Sequence, residues 1–334
     1  MQKESIGGVI PVINHKASRT QSGVLSGALE EMRLPYRAPT IELGNGLTRD
    51  EVYVQLDREI DLAINRKDPT VLMIDAGDGT VNTIVQHVYY HVGSQSSIIF
   101  AHVASGQCNV NGLEYGIRPD QQSIVRALRS ENVKRIDYQN ATFMAEDGHM
   151  LPSRRGLLAV GVVAASAIRT YERVRAGSTR KMGLTERIMR SVPESVNTVH
   201  PTAIKVSDRS GVIYEQQSAL GEVLNGAGYM FLVPATGNVT DGTMTMMLVP
   251  ARDKFQVLTQ VTFGLLLAHM GIRKHNPFMQ QFQSNQFTFE LGEPSDYHVD
   301  GEVGETKVRS VSIVSVPQAI PFLVMPEQVV SEEV

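Results

Sequence analysis

The chain has 334 residues, a net charge of −4 and one cysteine, Cys108. This length accommodates two domains or one large one with a substantial core. The charge balance gives no reason to expect bulk nucleic-acid binding, which needs a basic surface, and the lone cysteine excludes an intramolecular disulfide or a thiolate zinc cluster. No stretch approaches 18 uninterrupted apolar residues, and the N-terminus lacks the basic-then-apolar order of a signal peptide, so a soluble cytoplasmic protein is expected.

The first third alternates strand-like and helical patterns. Gly8 to Ile13 reads as a strand and Ser22 to Met32 as a helix with Val24, Leu25, Ala28 and Leu29 on one face. Residues 50–64 repeat helical spacing through Val52, Leu56, Ile60 and Ile64, and Val71 to Ile74 and Ile98 to His102 read as buried strands. Such alternation predicts a parallel, helix-covered sheet.

Beyond about residue 150, β-branched runs are broken by Gly, Asp and Asn. Leu157–Val163, Thr202–Val206, Val212–Gln216, Gly228–Val233, Thr243–Val249, Gln286–Glu290 and Lys307–Val316 read as strands of a mostly antiparallel domain, with one helical pattern at Val257–Met270. The expected fold class is therefore an α/β N-terminal domain with a parallel sheet, followed by a mostly antiparallel, β-rich second domain.

The densest chemistry lies in Asp75-Ala76-Gly77-Asp78-Gly79-Thr80, between a strand and an amphipathic run. Glycines there permit a tight turn and close ligand approach, and the helix start presents N–H groups to an anion such as phosphate. An acid among phosphates calls for a cation or a proton, which makes Asp78 a metal or general-base candidate. The plain alternative is a strand-to-helix turn in which Asp78 caps the helix and nothing binds.

Other segments fall in a definite order around this turn. They are Asn14-His15-Lys16-Ala17-Ser18 after the first strand, Ala76-Gly77-Asp78-Gly79-Thr80-Val81-Asn82, Gly106-Gln107-Cys108-Asn109, Pro234-Ala235 before Asp241-Gly242, and Asp300-Gly301-Glu302. Together they resemble the diacylglycerol kinase catalytic family, which includes bacterial lipid kinases and sphingosine kinases and shares its glycine turn with NAD kinases. The resemblance runs over nearly the whole chain. Departures from the family pattern stand at His15, Ser18, Ala76, Thr83, Gln107 and Thr245; a small residue before Gly-Asp-Gly, as at Ala76, is similar to the sphingosine-kinase form.

The resemblance implies a nucleotide-binding α/β domain over residues 1–150, a β-sandwich-like lipid-acceptor domain over 151–315, and a final segment, 316–334, that packs back onto the first. It implies ATP and Mg2+ as cofactors and a diacylglycerol- or sphingoid-base-like lipid as acceptor, with an NAD kinase-like phosphotransferase or a non-catalytic nucleotide- or lipid-binding relative as alternatives. Asn14, Lys16, Thr40, Gly77, Asp78, Gly79, Thr80, Asn82, Gly106, Gln107 and Asn109 would line the nucleotide. Asp300 and Glu302 would take the acceptor proton while Asp78 arranges magnesium, or the reverse, and Asp241 would hold a structural magnesium. Peripheral contact with a membrane surface and a homodimer are further implied partners; nucleic acid is not.

Read without that resemblance, Asp300-Gly301 and Asp241-Gly242 are turn dipeptides between strands. His87 and His91 have zinc-ligand spacing but no third ligand in the sequence. The basic run Arg169 to Ser191 fits either an anionic membrane or a solvated helix face.

Overall fold

In the computed structural model, residues 6–17, 22–93, 97–106, 115–157, 159–162, 199–226, 238–260 and 278–325 are described, with isolated positions between them (169–170, 173–174, 190, 194, 197, 229–230 and 233–234). The chain forms two units, Met1–Ile136 with Ala319–Val334, and Asp137–Gln318.

The first unit is built on parallel strands. β1 (Gly8–Asn14) pairs in parallel with β2 (Tyr36–Arg37), β3 (Ile41–Leu43) and β4 (Thr70–Ala76); β4 pairs in parallel with β5 (Ile98–Ala104). β4 is buried throughout, as a parallel strand covered on both faces must be. On one face Val9, Val71, Met73, Ala101 and Val103 pack with Leu25, Ala28 and Leu29 of α1 (Ser22–Met32) and with Ile124, Val125 and Leu128 of α4 (Gln121–Ser130). α2 (Arg49–Arg66) and α3 (Asp78–Val92) bury their own apolar stripes, Val52, Leu56 and Ile60 on one and Val81, Ile84, Val85 and Val88 on the other. Each such side chain contributes about 1.5–3 kcal/mol on full burial.

Helix boundaries follow from local chemistry. Thr48 and Glu51 form a reciprocal capping box at the start of α2, and Lys67 closes it in the left-handed conformation. α3 differs: its N-cap is Gly77, which supplies no side-chain hydrogen bond.

The second unit is largely antiparallel. Its strands are β6 (Val133–Ala145, from Asp137 onward), β7 (Arg154–Gly156), β8 (Ala159–Val162), β9 (Thr202–Asp208), β10 (Gly211–Leu224), β13 (Met244–Pro250), β14 (Gln280–Ser284), β15 (Gln286–Ser295), β16 (Tyr297–Val299), β17 (Glu302–Val303) and β18 (Val308–Leu323, up to Gln318). Their order is β17-β16-β8-β10-β9-β15-β18, with β13 and β14 extending from β10. Phe143, Val160, Val206, Val223, Met246, Phe287, Phe289 and Ile313 form its core. The last residues of β18 belong to the first unit, where Phe322 pairs in parallel with Phe100 and packs on Tyr115.

Two strand expectations change in detail. Val212–Gln216 is part of a 14-residue strand, β10, because the polar Glu215, Gln216 and Gln217 do not interrupt an edge-to-edge ladder with β9. Gly228–Val233 is not one strand: β11 (Tyr229–Met230) and β12 (Val233–Pro234) pair antiparallel with each other. Helix is present at residues 254–260; the rest of the expected helix to Met270 lies outside the described residues. α4 and β6 occupy a stretch that the sequence patterns leave unassigned.

Candidate functional site

In the first unit, several expected residues gather at the carboxyl edge of the parallel strands. β4 ends at Ala76, Gly77 stays extended, and Asp78, Gly79 and Thr80 form the first turn of α3. An uncapped helix start directs its N–H groups and the positive end of its dipole outward, the arrangement that receives an anion. Asn14, at the end of β1, donates from Nδ2 to Thr80 Oγ1 at 2.8 Å and accepts the Lys16 N–H at 3.0 Å. A Cβ on Gly77 would lie 3.4 Å from Gly106 Cα, so the turns after β4 and β5 touch backbone to backbone. Asn82 is buried on α3, one turn in.

Two residues that the motifs did not mark support this edge. Asp75 is buried at the end of β4, and its Oδ1 has no hydrogen-bond partner among the described residues. Burial raises its carboxyl above the ordinary range, against the opposing pull of a Ser105 hydrogen bond and the His15 charge. His102, fully buried on β5, donates from Nε2 to the Ala76 carbonyl at 3.0 Å, which places the ring directly behind the glycine turn. Burial holds its pKa below the ordinary value while the nearby Asp78 charge opposes the shift. An acid and a histidine inside strand-like runs were the available sequence signals.

In the second unit, Asp300 and Gly301 are the two-residue loop of a hairpin between β16 and β17, both at positive φ (52° and 85°), as a type I′ turn requires. The hairpin that the bare dipeptide predicts is thus present. The Asp300 carboxylate also accepts the Leu157 N–H at 2.9 Å and the Ala159 N–H at 2.8 Å, and its own N–H donates to the Ala159 carbonyl. Glu302 is exposed and pairs with Arg154 at 2.8 Å.

Asp241 is exposed and caps its own turn, accepting from Thr243 N and Oγ1 at 2.8 and 2.7 Å. Behind it stands Asp137, which sequence reading passed over. It is fully buried and accepts the Gly242 and Gln318 N–H groups at 2.7 and 2.6 Å. Burial raises its carboxyl, the two N–H groups oppose this, and Asp241 adds to the rise.

Thr40 immediately precedes β3, so it lies three residues before Leu43, the residue level with Asn14. Gln107 and Asn109 lie outside the described residues, as do Ala235 and most of the basic run. His87 and His91 are taken up by α2: their Nε2 atoms lie 2.7 Å from Asp57 and 2.9 Å from Asp61. Among the described residues, no group of three or more His, Cys, Asp or Glu is arranged to hold a metal ion. Magnesium needs fewer, because it keeps waters and binds through one or two carboxylates plus phosphate oxygens; Asp78 on the first turn of α3 and Asp75, three residues before it in β4, are the carboxylates this edge offers to that pattern. No described helix is long and apolar enough to cross a membrane.

No protein-family model and no curated protein matches the amino-acid sequence. The fold, however, is that of solved diacylglycerol kinase-like proteins and of an NADH kinase. A diacylglycerol kinase from Bacillus anthracis str. Sterne aligns over 96% of this chain and 97% of its own, with a TM-score of 0.62 and 14% identity. Yeast NADH kinase, solved with NADH, aligns over 97% of this chain and 85% of its own, with a TM-score of 0.53 and 10% identity. At such identities it is the fold that is shared.

Proposed function

We propose that the chain is an ATP- and Mg2+-dependent kinase that phosphorylates a hydroxyl of a diacylglycerol- or sphingoid-base-like lipid. The observation that carries this reading is the Gly77-Asp78-Gly79-Thr80 turn: a helix start without a side-chain cap, tied to β1 by Asn14 and abutted by Gly106. Phosphoryl transfer asks mainly for positioned donors around the phosphates, and this edge offers them. Gly77, Gly79 and Thr80 hold phosphate oxygens, with Asn14, Lys16, Asn82, Gly106, Gln107 and Asn109 as further nucleotide-lining residues and Thr40 a more distant one. Magnesium, when bound, neutralises charge on the phosphates; Asp78 is the residue assigned to it, and Asp241 to a second, structural ion.

The acceptor hydroxyl must lose a proton as it attacks. The Asp300–Glu302 turn supplies that carboxylate. Within it, Asp300 spends one lone pair of each oxygen on the backbone of residues 157 and 159, and Glu302 is the more exposed group. A lipid acceptor further implies that the chain meets a membrane surface peripherally, which cosedimentation with anionic vesicles checks.

A second reading, NAD kinase-like transfer, is favoured by the NADH kinase neighbour. One experiment separates the two. The purified chain is incubated with γ-labelled ATP, Mg2+ and, separately, diacylglycerol, sphingosine and NAD, while ATP binding is followed by thermal shift. Label in a lipid supports the proposal, and label in NAD replaces it. ATP binding with label in no acceptor leaves a non-catalytic binding protein. An Asp78→Asn variant with full activity would remove the magnesium role given to that residue.

A further inference from the structure

One rung of the second unit carries two buried ionisable groups that the proposed chemistry does not use. Gly161 of β8 stands opposite Glu222 of β10 on one side and His298 of β16 on the other. A Cβ at Gly161 would come within 2.3 Å of His298 Nε2. The absent side chain is therefore what lets the imidazole reach across the middle strand. There Nε2 comes to 3.7 Å from Glu222 Oε1, with His298 3% and Glu222 6% exposed. On the same sheet face lie Ala159, Leu224 and Met247, all buried and apolar.

The other ring nitrogen faces the hairpin. His298 Nδ1 accepts the N–H of Gly301 at 3.4 Å, so in the neutral ring the proton sits on Nε2, toward Glu222. The charge that acts on the ring is that of Arg154 of β7, and the Glu222 carboxyl faces it across Gly161. Burial and the Arg154 charge push His298 down to about 4, and burial pushes Glu222 up to about 8. At neutral pH the two form a carboxylic acid–imidazole pair rather than an ion pair, and 3.7 Å is too long for a direct hydrogen bond.

Burying two such groups costs stability that an apolar pair would not. What they support in return is visible in the contacts. Asp300 and Gly301 hold left-handed backbone, and the Gly301 N–H is the donor within the loop that His298 receives.

We propose that His298, with Glu222 behind it, is a positioning residue for the Asp300-Gly301-Glu302 turn: its neutral ring accepts the Gly301 N–H, holds the left-handed step, and so fixes where the Glu302 carboxylate points. The effect on rate rests on the phosphotransferase reading; the effect on the turn does not.

The test uses the full chain labelled with 15N. In the parent, the His298 ring is expected as the Nε2–H form and to stay neutral at pH 6. In His298→Leu the Gly301 amide loses its acceptor, and its hydrogen exchange is expected to accelerate about tenfold or more; in His298→Asn, whose Oδ1 stands in for Nδ1, protection returns. Gly161→Ala, which displaces the ring without altering it, should reproduce the loss should the leucine variant fold poorly. On the acceptor found active above, kcat should fall about tenfold or more in the leucine variant and recover in the asparagine variant, with KM for ATP held within about twofold. A ring protonated on Nδ1 at pH 6, or Gly301 exchange that is the same in parent, Leu and Ala variants, would overturn the proposal. Normal exchange effects with no transfer to any acceptor would instead count against the kinase reading alone.

Discussion

Replacing Glu222 with glutamine should make the protein more resistant to alkaline conditions. Glu222 has an ordinary carboxyl pKa near 4.5 in the unfolded chain and about 8 in the fold, raised by burial. The folded state therefore holds a proton that the unfolded state releases, and the associated stability is complete below about pH 4.5 and is lost as pH rises toward 8. The loss runs at about 1.4 kcal/mol per pH unit. His298 has the opposite sense: its folded pKa is lowered to about 4 from an ordinary 6.5, so its stability is complete above 6.5 and lost as pH falls. The two slopes cancel between about pH 4.5 and 6.5, and above 6.5 only Glu222 acts. From pH 6.5 to 8, 1.5 units at about 1.4 kcal/mol each, the carboxyl removes about 2 kcal/mol. Glutamine has the same shape and no proton to lose. Urea unfolding of parent and Glu222→Gln at half-unit steps from pH 5 to 8.5 should show the difference between them widening by about 2 kcal/mol between pH 6.5 and 8, and by about as much again between pH 5 and 6.5, because the His298 slope is common to both proteins and drops out of the difference. A difference that is constant with pH, or that narrows toward pH 8, would refute the reasoning.

Three other substitutions probe separate parts of the structure. Asp137→Ala removes a buried carboxylate and the acceptor of the Gly242 and Gln318 N–H groups and should cost roughly 2–5 kcal/mol in urea unfolding, with Asp137→Asn losing about half as much because one acceptor survives. Phe322→Ala should cost about 3–5 kcal/mol, since its ring is fully buried against Phe100 and Tyr115; a neutral result would mean that the end of β18 contributes nothing to the first unit. His102 has a folded pKa below its ordinary 6.5, so the stability it contributes is complete above 6.5 and lost as pH falls; His102→Gln, whose amide keeps a donor for the Ala76 carbonyl, should flatten the acid side of the unfolding profile between pH 6.5 and 5.

Much of this was legible in the sequence because it is local. Val71 to Ile74 is apolar without a break, which only a two-sided parallel strand needs, and the spacing of Val52, Leu56 and Ile60 is a helix face on its own terms. The glycine turn declares itself through the residues a tight strand-to-helix turn requires. Asp300-Gly301 likewise predicts the left-handed pair that the hairpin contains. What was not legible depends on register between strands distant in sequence. The apolar neighbours of Glu222 mark its stretch as more buried than that of the exposed Glu215 seven residues earlier, but not which partner it meets; that is set by β8 and β13, which flank the end of β10 that holds Glu222.

Register also explains why the buried polar residues gather behind turns. A loop backbone has donors that the ladder on either side cannot satisfy, and a side chain from a neighbouring strand is the nearest acceptor once it is level with the loop. Asp137 does this for Gly242 and Gln318 and His298 for Gly301, while Asp300, on its own loop, accepts from the backbone of residues 157 and 159. His102 does the converse for the Ala76 carbonyl. For Gly242 and Ala76 the motif residue is at a turn and its support is an unremarkable letter in a strand 105 or 26 positions away; for Gly301 the support, His298, is three residues back. Substituting a motif residue and substituting its support should therefore fail differently: the first alters chemistry with the backbone intact, while the second leaves the chemical groups in place on a loop that no longer holds its shape.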